Sequence, residues 1–126
     1  MNSIPDARLN FRSAINYDGT PAPPLVSVVL QDYQNRGVLF VATMDQEAWQ
    51  LTLATSRIHV YSRTEKTTRC KGATSSDFLK VVSIFKNCNH DSLLINVRRL
   101  GKDGGTCHTK GQDGKTRPSC FFIQLI

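Results

Sequence analysis

The chain has 126 residues, 40% hydrophobic and 21% charged, which supplies one core and excludes a disordered chain or a second domain of ordinary size. No apolar run approaches the roughly 20 residues of a membrane-spanning helix, and residues 1–10 lack the apolar stretch of a secretory signal, so a cytoplasmic chain without a membrane partner is expected. Sixteen basic residues against ten acidic ones leave a formal charge of +6, which favours anionic partners such as phosphorylated metabolites or nucleic acid.

Residues 1–24 read as an extended lead-in, because Thr20-Pro21-Ala22-Pro23-Pro24 sets three prolines in four positions and proline forbids regular helix. Residues 25–126 read as a single domain. Residues 25–30 (LVSVVL) and 38–42 (VLFVA) are apolar and β-branched, and the turn residues Gln34-Asn35-Arg36-Gly37 between them predict a hairpin. Residues 44–54 change period. Asp45 can cap a helix, Glu47 suits its dipole, and Ala48 and Leu51 supply an apolar face. Residues 58–61 (IHVY) predict a short strand, and residues 62–76 a polar loop ending in KGATSS. Residues 77–85 and 92–97 predict two strands around a tight polar turn, and residues 121–123 a last one. The sum is α+β, mainly antiparallel sheet with one or two short helices.

Between Arg98 and Arg117 stand six basic residues (Arg98, Arg99, Lys102, Lys110, Lys115, Arg117) against Asp103 and Asp113. The stretch holds no aromatic residue, whereas modules for single-stranded nucleic acid interleave aromatics with their charge. A small phosphate is the better anion, and a solvated basic loop the plain alternative. Ser62, Arg63, Lys71, Thr74 and Ser75 offer donors for phosphate and ribose oxygens. An arginine fork grips phosphate in bidentate fashion, and Lys71-Gly72 before a run of hydroxyls can add backbone N–H groups.

The cysteines are Cys70, Cys88, Cys107 and Cys120. Without an export signal, in a chain large enough to need no staples, reduced thiols are expected. Cys88 lies in a polar turn, and Cys107 and Cys120 are thirteen residues apart in a loop rich in Gly and Lys. Cysteine is normally buried, so cysteines in such places need a reason. Three thiolates on Zn²⁺ leave one tetrahedral position open, the catalytic arrangement; four make a structural site. The spacing contains no CxxC knuckle, so on spacing alone three scattered buried thiols are the better account. Cys70, between Arg69 and Lys71, could complete such a four-cysteine structural site, but reads better as an ordinary surface or half-buried thiol.

Five stretches in fixed order resemble the phosphoribosyl-AMP cyclohydrolase family: VLFVATMDQEAWQLTLAT (38–55), YSRT (61–64), KGATSSDFLKVVSI (71–84), NCNHDSLL (87–94) and TCH…SC (106–108 and 119–120). The resemblance covers roughly residues 25–122. It implies a zinc hydrolase of histidine biosynthesis that adds water to C6 of an N1-substituted adenine and breaks the C6–N1 bond. It implies an intertwined homodimer with shared active sites, in which Cys88 of one copy meets Cys107 and Cys120 of the other around zinc. His108 would stand beside the metal, and an imidazole with an unperturbed pKa near 6.5 suits a proton shuttle or a ligand-orienting role. The phosphorylated nucleotide would be held by Ser62, Arg63, Thr64, Lys71, Gly72, Thr74 and Ser75. A second metal, magnesium, is implied on a turn written D-C-D-x-D.

The chain departs from this pattern. The turn is Asn87-Cys88-Asn89-His90-Asp91, so two carboxylates have become amides. Magnesium prefers anionic oxygen, and its affinity is expected to fall sharply at Asn87, Asn89 and Asp91, or the position to recruit His90 and a softer metal. The family's tryptophan before the lysine-glycine pair is Arg69, and its KGETSG is KGATSS, with Ala73 replacing the glutamate. The segments between Cys88, Cys107 and Cys120 are longer than the family spacing. Two other readings accompany the cyclohydrolase: a paralogue with the zinc centre and a different nucleotide-like substrate, and a zinc-stabilised RNA-binding module without catalysis.

Overall fold

The computed structural model describes residues 8–126. Among them the chain forms β1 (Arg12–Ile15), β2 (Pro21–Asp32), β3 (Val38–Met44), α1 (Gln46–Thr55), β4 (His59–Ser62), β5 (Thr67–Cys70), β6 (Leu79–Lys86) and β7 (Ser92–Arg99). Strands β1, β2, β7 and β6 lie side by side in that order, and β3 also pairs with β2; β4 and β5 form a separate two-stranded ribbon.

Alternation along β2 decides the layering. Val26, Val28 and Leu30 turn to one face and are buried, where they meet Leu93, Ile95 and Val97 of β7, Met44 of β3, and Ala48 and Trp49 of α1. The helix closes that face. Asp45 caps it by accepting the Ala48 N–H at 2.9 Å, and Ser56 ends it in the left-handed region with φ 59°, as a helix C-terminus often requires. The fold is α+β and mainly antiparallel, as expected, with a single helix.

Five findings correct the sequence reading. First, β2 and β7 run parallel, Val28 opposite Leu93 and Leu30 opposite Ile95, so the sheet is mixed. Second, the lead-in is not featureless. Its residues 12–15 form β1, and β2 begins at Pro21, paired with Ile15; residues 1–7 lie outside the described residues. Third, the polar loop of residues 62–76 contains β5, which pairs with β4 (Val60 opposite Arg69). Fourth, residues 121–123 form no strand. Cys120 N–H donates to the Leu39 carbonyl at 2.7 Å, and beyond it Phe122 lies 3.9 Å beneath the Arg117 guanidinium instead of entering a ladder. Fifth, part of the basic stretch is paired within the chain, although Arg98, Lys102, Lys110 and Lys115 stay exposed. Arg99 pairs with Asp32 at 3.0 Å, Arg98 stacks over Tyr33 at 5.2 Å, and Lys115 approaches Asp103 at 3.9 Å.

Asp32 makes a further point about stability. Its carboxylate is buried at the end of β2, accepts the N–H groups of Gln34 and Asn35, and takes Arg99 Nε. Burial would push its pKa up, but these donors outweigh burial and hold it below the ordinary value. A depressed carboxylate stabilises the fold above its unfolded pKa, and that contribution is lost as the pH falls below about 4. Asp32→Asn is therefore expected to lower stability by about 2 kcal/mol at neutral pH. The gap to the native chain should narrow below about pH 4. Urea unfolding midpoints measured across that range test both statements; a gap independent of pH would contradict them.

Candidate active site and metal centre

The loop after β7 carries two of the three expected metal ligands, and its backbone explains why they meet. The N–H groups of Thr106 and Cys107 both donate to the Arg117 carbonyl (2.8 and 2.9 Å), and the Arg117 N–H returns to Thr109. A small hairpin results, with Lys110 bridged to Thr116. Its outer end is clasped to the body by Thr116 Oγ1, which donates to the buried Asp77 carboxylate at 2.7 Å. Gly105 is required at this point, because a Cβ there would collide with the Thr116 side chain. The far end is fixed to β3 through Cys120 N–H and through Ser119 Oγ, which donates to the Val38 carbonyl at 2.8 Å.

The Cys107 and Cys120 thiols come close enough as a result to shift each other's titration. Burial would raise the Cys107 pKa, but the Thr109 hydroxyl and N–H, the Cys120 thiol and the Lys71 ammonium together lower it. The Cys120 pKa is raised, first by burial and then by its charged neighbour. Cys107 Sγ lies 3.0 Å from Thr109 Oγ1. The pair thus favours a thiolate at Cys107 with the proton on Cys120. Lys71 stands beside both sulfurs. Its Nζ donates to the Thr106 carbonyl at 2.6 Å and sits 4.7 Å over the Phe40 ring. Burial lowers the pKa of its ammonium, against the pull of Cys107.

Lys71 borders a cleft of about 890 Å³, lined also by Tyr17, Phe40, Val41, Tyr61, Ser62, Arg63, Thr64, Arg69 and His108, among others; the two cysteines stand behind it rather than in its wall. Of the expected substrate residues, Ser62, Arg63, Thr64 and Lys71 are there, together with His108. Gly72, Thr74 and Ser75 do not line the cleft. Gly72 is buried with φ +93°, and a Cβ on it would run into the Asp77 backbone. Thr74 and Ser75 are exposed on the turn that follows. Gly72 shapes the chain behind Lys71 rather than touching a ligand. The sequence reading missed the aromatic wall. Tyr17 carries the Arg63 guanidinium 4.5 Å over its ring, and Arg63 Nε is anchored on the Ile15 carbonyl at 2.8 Å.

Cys88 is exposed on the β6–β7 turn and stays apart from the other two. Among the described residues no three or more His, Cys, Asp or Glu side chains of one chain gather as a metal site. Cys107, expected in an open polar loop, is 2% exposed. Cys70 is half-buried, with its thiol pKa raised by burial, and takes no part.

The Asn87–Asp91 turn does not fit magnesium. Asn87 Oδ1 accepts the N–H groups of Asp91 (2.9 Å) and Ser92 (3.0 Å). Asn87 Nδ2 donates to Asp91 Oδ1 at 2.7 Å, and Asp91 Oδ2 faces Arg12 Nε at 3.3 Å. The side-chain oxygens of Asn87 and Asp91 are thus already committed, and the remaining candidate, Asn89, offers only a neutral amide oxygen.

Residues 40–122 match the family model described as phosphoribosyl-AMP cyclohydrolase. The chain belongs to the phosphoribosyl-AMP cyclohydrolase family. A protein of that name from Brucella abortus (strain 2308) is 38% identical over 105 residues, spanning 83% of this chain and 82% of the relative. One from Streptococcus thermophilus is 40% identical over 101 residues, spanning 80% and 82%. The family is one of cyclic amidine hydrolases and belongs to histidine biosynthesis. The matched residues hold most of the cleft lining, both loop cysteines and the Cys88 turn, whereas β1 and the cleft residues Tyr17 and Ser27 lie ahead of them. No helix among the described residues is long and apolar enough to cross a membrane.

Proposed function

We propose that this chain is a zinc-dependent hydrolase that opens the adenine ring of phosphoribosyl-AMP between C6 and N1. It works as a homodimer whose copies share their sites. The observation that carries the reading is the Cys107–Cys120 pair beside Lys71, which itself lines a cleft together with Arg63 and His108. Four free thiols suit a reducing, cytoplasmic setting.

Two adjacent thiols, one drawn toward thiolate, fit a borderline-soft cation such as zinc better than a hard one. Cys107 and Cys120 would hold it, with Cys88 of a second copy as third ligand. Zinc, when bound, supplies the acidity that makes water a nucleophile near neutral pH, its pKa falling from about 15.7 to about 7. The remaining work falls to the chain's own groups. Thr109 holds Cys107 in its charged form. Arg63, steadied by Tyr17 and the Ile15 carbonyl, offers its fork to phosphate. Lys71, fixed on the Thr106 carbonyl, keeps a positive charge against the substrate's anionic side. His108 gives N1 its proton as the C6–N1 bond breaks, while the oxygen of water stays on C6.

The outer face of the sheet supports the homodimer. Val41, Val29, Leu94 and Phe85 stand opposite one another across β3, β2, β7 and β6. Among the described residues nothing covers this row: Val41 is 50% exposed and Phe85 57%. A contiguous apolar strip of this kind marks an interface. Val41 also lines the cleft, so a second copy seated on the row would border the site, and Cys88 lies on the hairpin that carries Phe85 and Leu94.

Of the two other readings, the changed-substrate paralogue keeps the altered Asn87–Asp91 turn in its support and loses the Ala73 argument. Ala73 is exposed on a turn away from the cleft, so the lost glutamate removes no proton carrier from the cleft wall. The RNA-binding reading is weakened because Arg98, Arg99 and Arg117 are engaged inside the chain. Metal analysis paired with an assay of phosphoribosyl-AMP ring opening tests the proposal. About one zinc per chain with turnover is expected. Zinc without turnover would revive the changed substrate, and neither zinc nor turnover would end the proposal.

A further inference from the structure

The committed side-chain oxygens of Asn87 and Asp91 pose a physical question: what holds the Cys88 turn in shape, if not a divalent cation? Of residues 87–91 only Asp91 carries a negative charge among the oxygen-bearing side chains. Magnesium demands near-octahedral oxygen coordination and usually more than one anionic partner. Here the single carboxylate is shared between Asn87 Nδ2 and the guanidinium of Arg12. A cation entering beside Asp91 would meet a like charge. Asn87 cannot turn its carbonyl outward without releasing two backbone N–H groups, Asp91 and Ser92.

The strand that brings Arg12 also pins the rest of the turn. Asn10 Nδ2 donates to the Asn89 carbonyl at 2.9 Å, and Asn10 N–H to the His90 carbonyl at 2.6 Å. Three separate contacts from residues 10–12 thus reach Asn89, His90 and Asp91, the residues directly after Cys88. His90 Nδ1 is the one buried polar side-chain atom of the turn without a hydrogen-bond partner among the described residues. A lone imidazole nitrogen is a poor ligand for a hard cation.

We propose that Arg12, with Asn10, takes the place of the second divalent cation: a tethered guanidinium neutralises Asp91, and the β1 segment fixes the turn that presents Cys88, without magnesium. Arg12 is a positioning residue; it acts through Asp91 and Asn87. That the turn serves to present Cys88 to zinc rests on the preceding reading, whereas the absence of a divalent site at the turn stands apart from it.

The test uses Mn²⁺, which stands in for magnesium and is read by electron paramagnetic resonance, on the zinc-loaded full chain. The native protein is expected to leave the free Mn²⁺ signal undiminished. The triple variant Arg12→Gln, Asn87→Asp, Asn89→Asp is expected to bind about one Mn²⁺ per chain, having regained the anionic oxygens such an ion requires. Arg12→Gln alone should weaken zinc retention about tenfold, the scale of losing an outer-shell partner of a metal ligand. Stoichiometric Mn²⁺ binding by the native chain, lost in Asp91→Asn or His90→Ala, overturns the proposal. So does a triple variant that melts like the native chain and gains no Mn²⁺. The native-chain measurement decides even if the triple variant fails to fold. Because Mn²⁺ binding is scored without turnover, its outcome is separable from that of the ring-opening assay.

Discussion

Cys107→Ser is expected to strip zinc from the protein and stop ring opening. Serine fits the space of cysteine, and the hairpin's backbone bonds to Arg117 do not involve the side chain, so the fold survives. What is lost is the buried sulfur that Thr109 and Lys71 draw toward thiolate. A serine hydroxyl keeps its proton in the same surroundings and is no zinc ligand. Zinc content is expected to fall from about one to below about a tenth per chain. Turnover should drop by more than about a thousandfold, because water then keeps a pKa near 15.7. Metal analysis and a ring-opening assay on the purified variant check this; unchanged zinc would remove Cys107 from the ligand set.

A second expected result concerns two dead proteins that restore each other. Cys88→Ser and Cys107→Ser each disable both sites of a homodimer. In a mixed dimer one site joins the intact Cys88 of one copy to the intact Cys107 and Cys120 of the other, and its companion carries both lesions. Random exchange of equal amounts makes half the dimers mixed, so about one quarter of native activity returns. The measurement is activity against time after mixing, with each variant alone as control. A mixture as inactive as its components, despite demonstrated exchange, contradicts the shared site. The exposure of Cys88 and its distance from the other two thiols are what make the experiment informative.

Much of this was legible in the residues. The hairpin β2–β3 and the capped helix follow from local chemistry, from Asn35-Arg36-Gly37 and from Asp45. What local chemistry could not supply was partnership over distance. The parallel pairing of β2 with β7 joins residues more than sixty positions apart. β1 was hidden by the prolines that follow it, although Asp18-Gly19 between β1 and β2 is a hairpin signal. The site divides in the same way. Arg63, Lys71 and His108 were readable as chemistry. The burial of Cys107 was not, because it depends on Asp77 clasping Thr116, a contact between residues 39 apart that no composition rule anticipates. Thr74 and Ser75 read as phosphate donors by type alone, and the left-handed Gly72 turns the chain so that they face solvent.

The clasp between Asp77 and Thr116 also bears on how the protein would acquire its ion. In many small metalloproteins the chain is disorganised until the ion arrives, so uptake and folding are one event. Here the hairpin, its anchor on β3 and the neighbouring ammonium set two sulfurs together by ordinary hydrogen bonding. An arriving ion would find half its coordination sphere assembled, and uptake would demand little ordering of the chain.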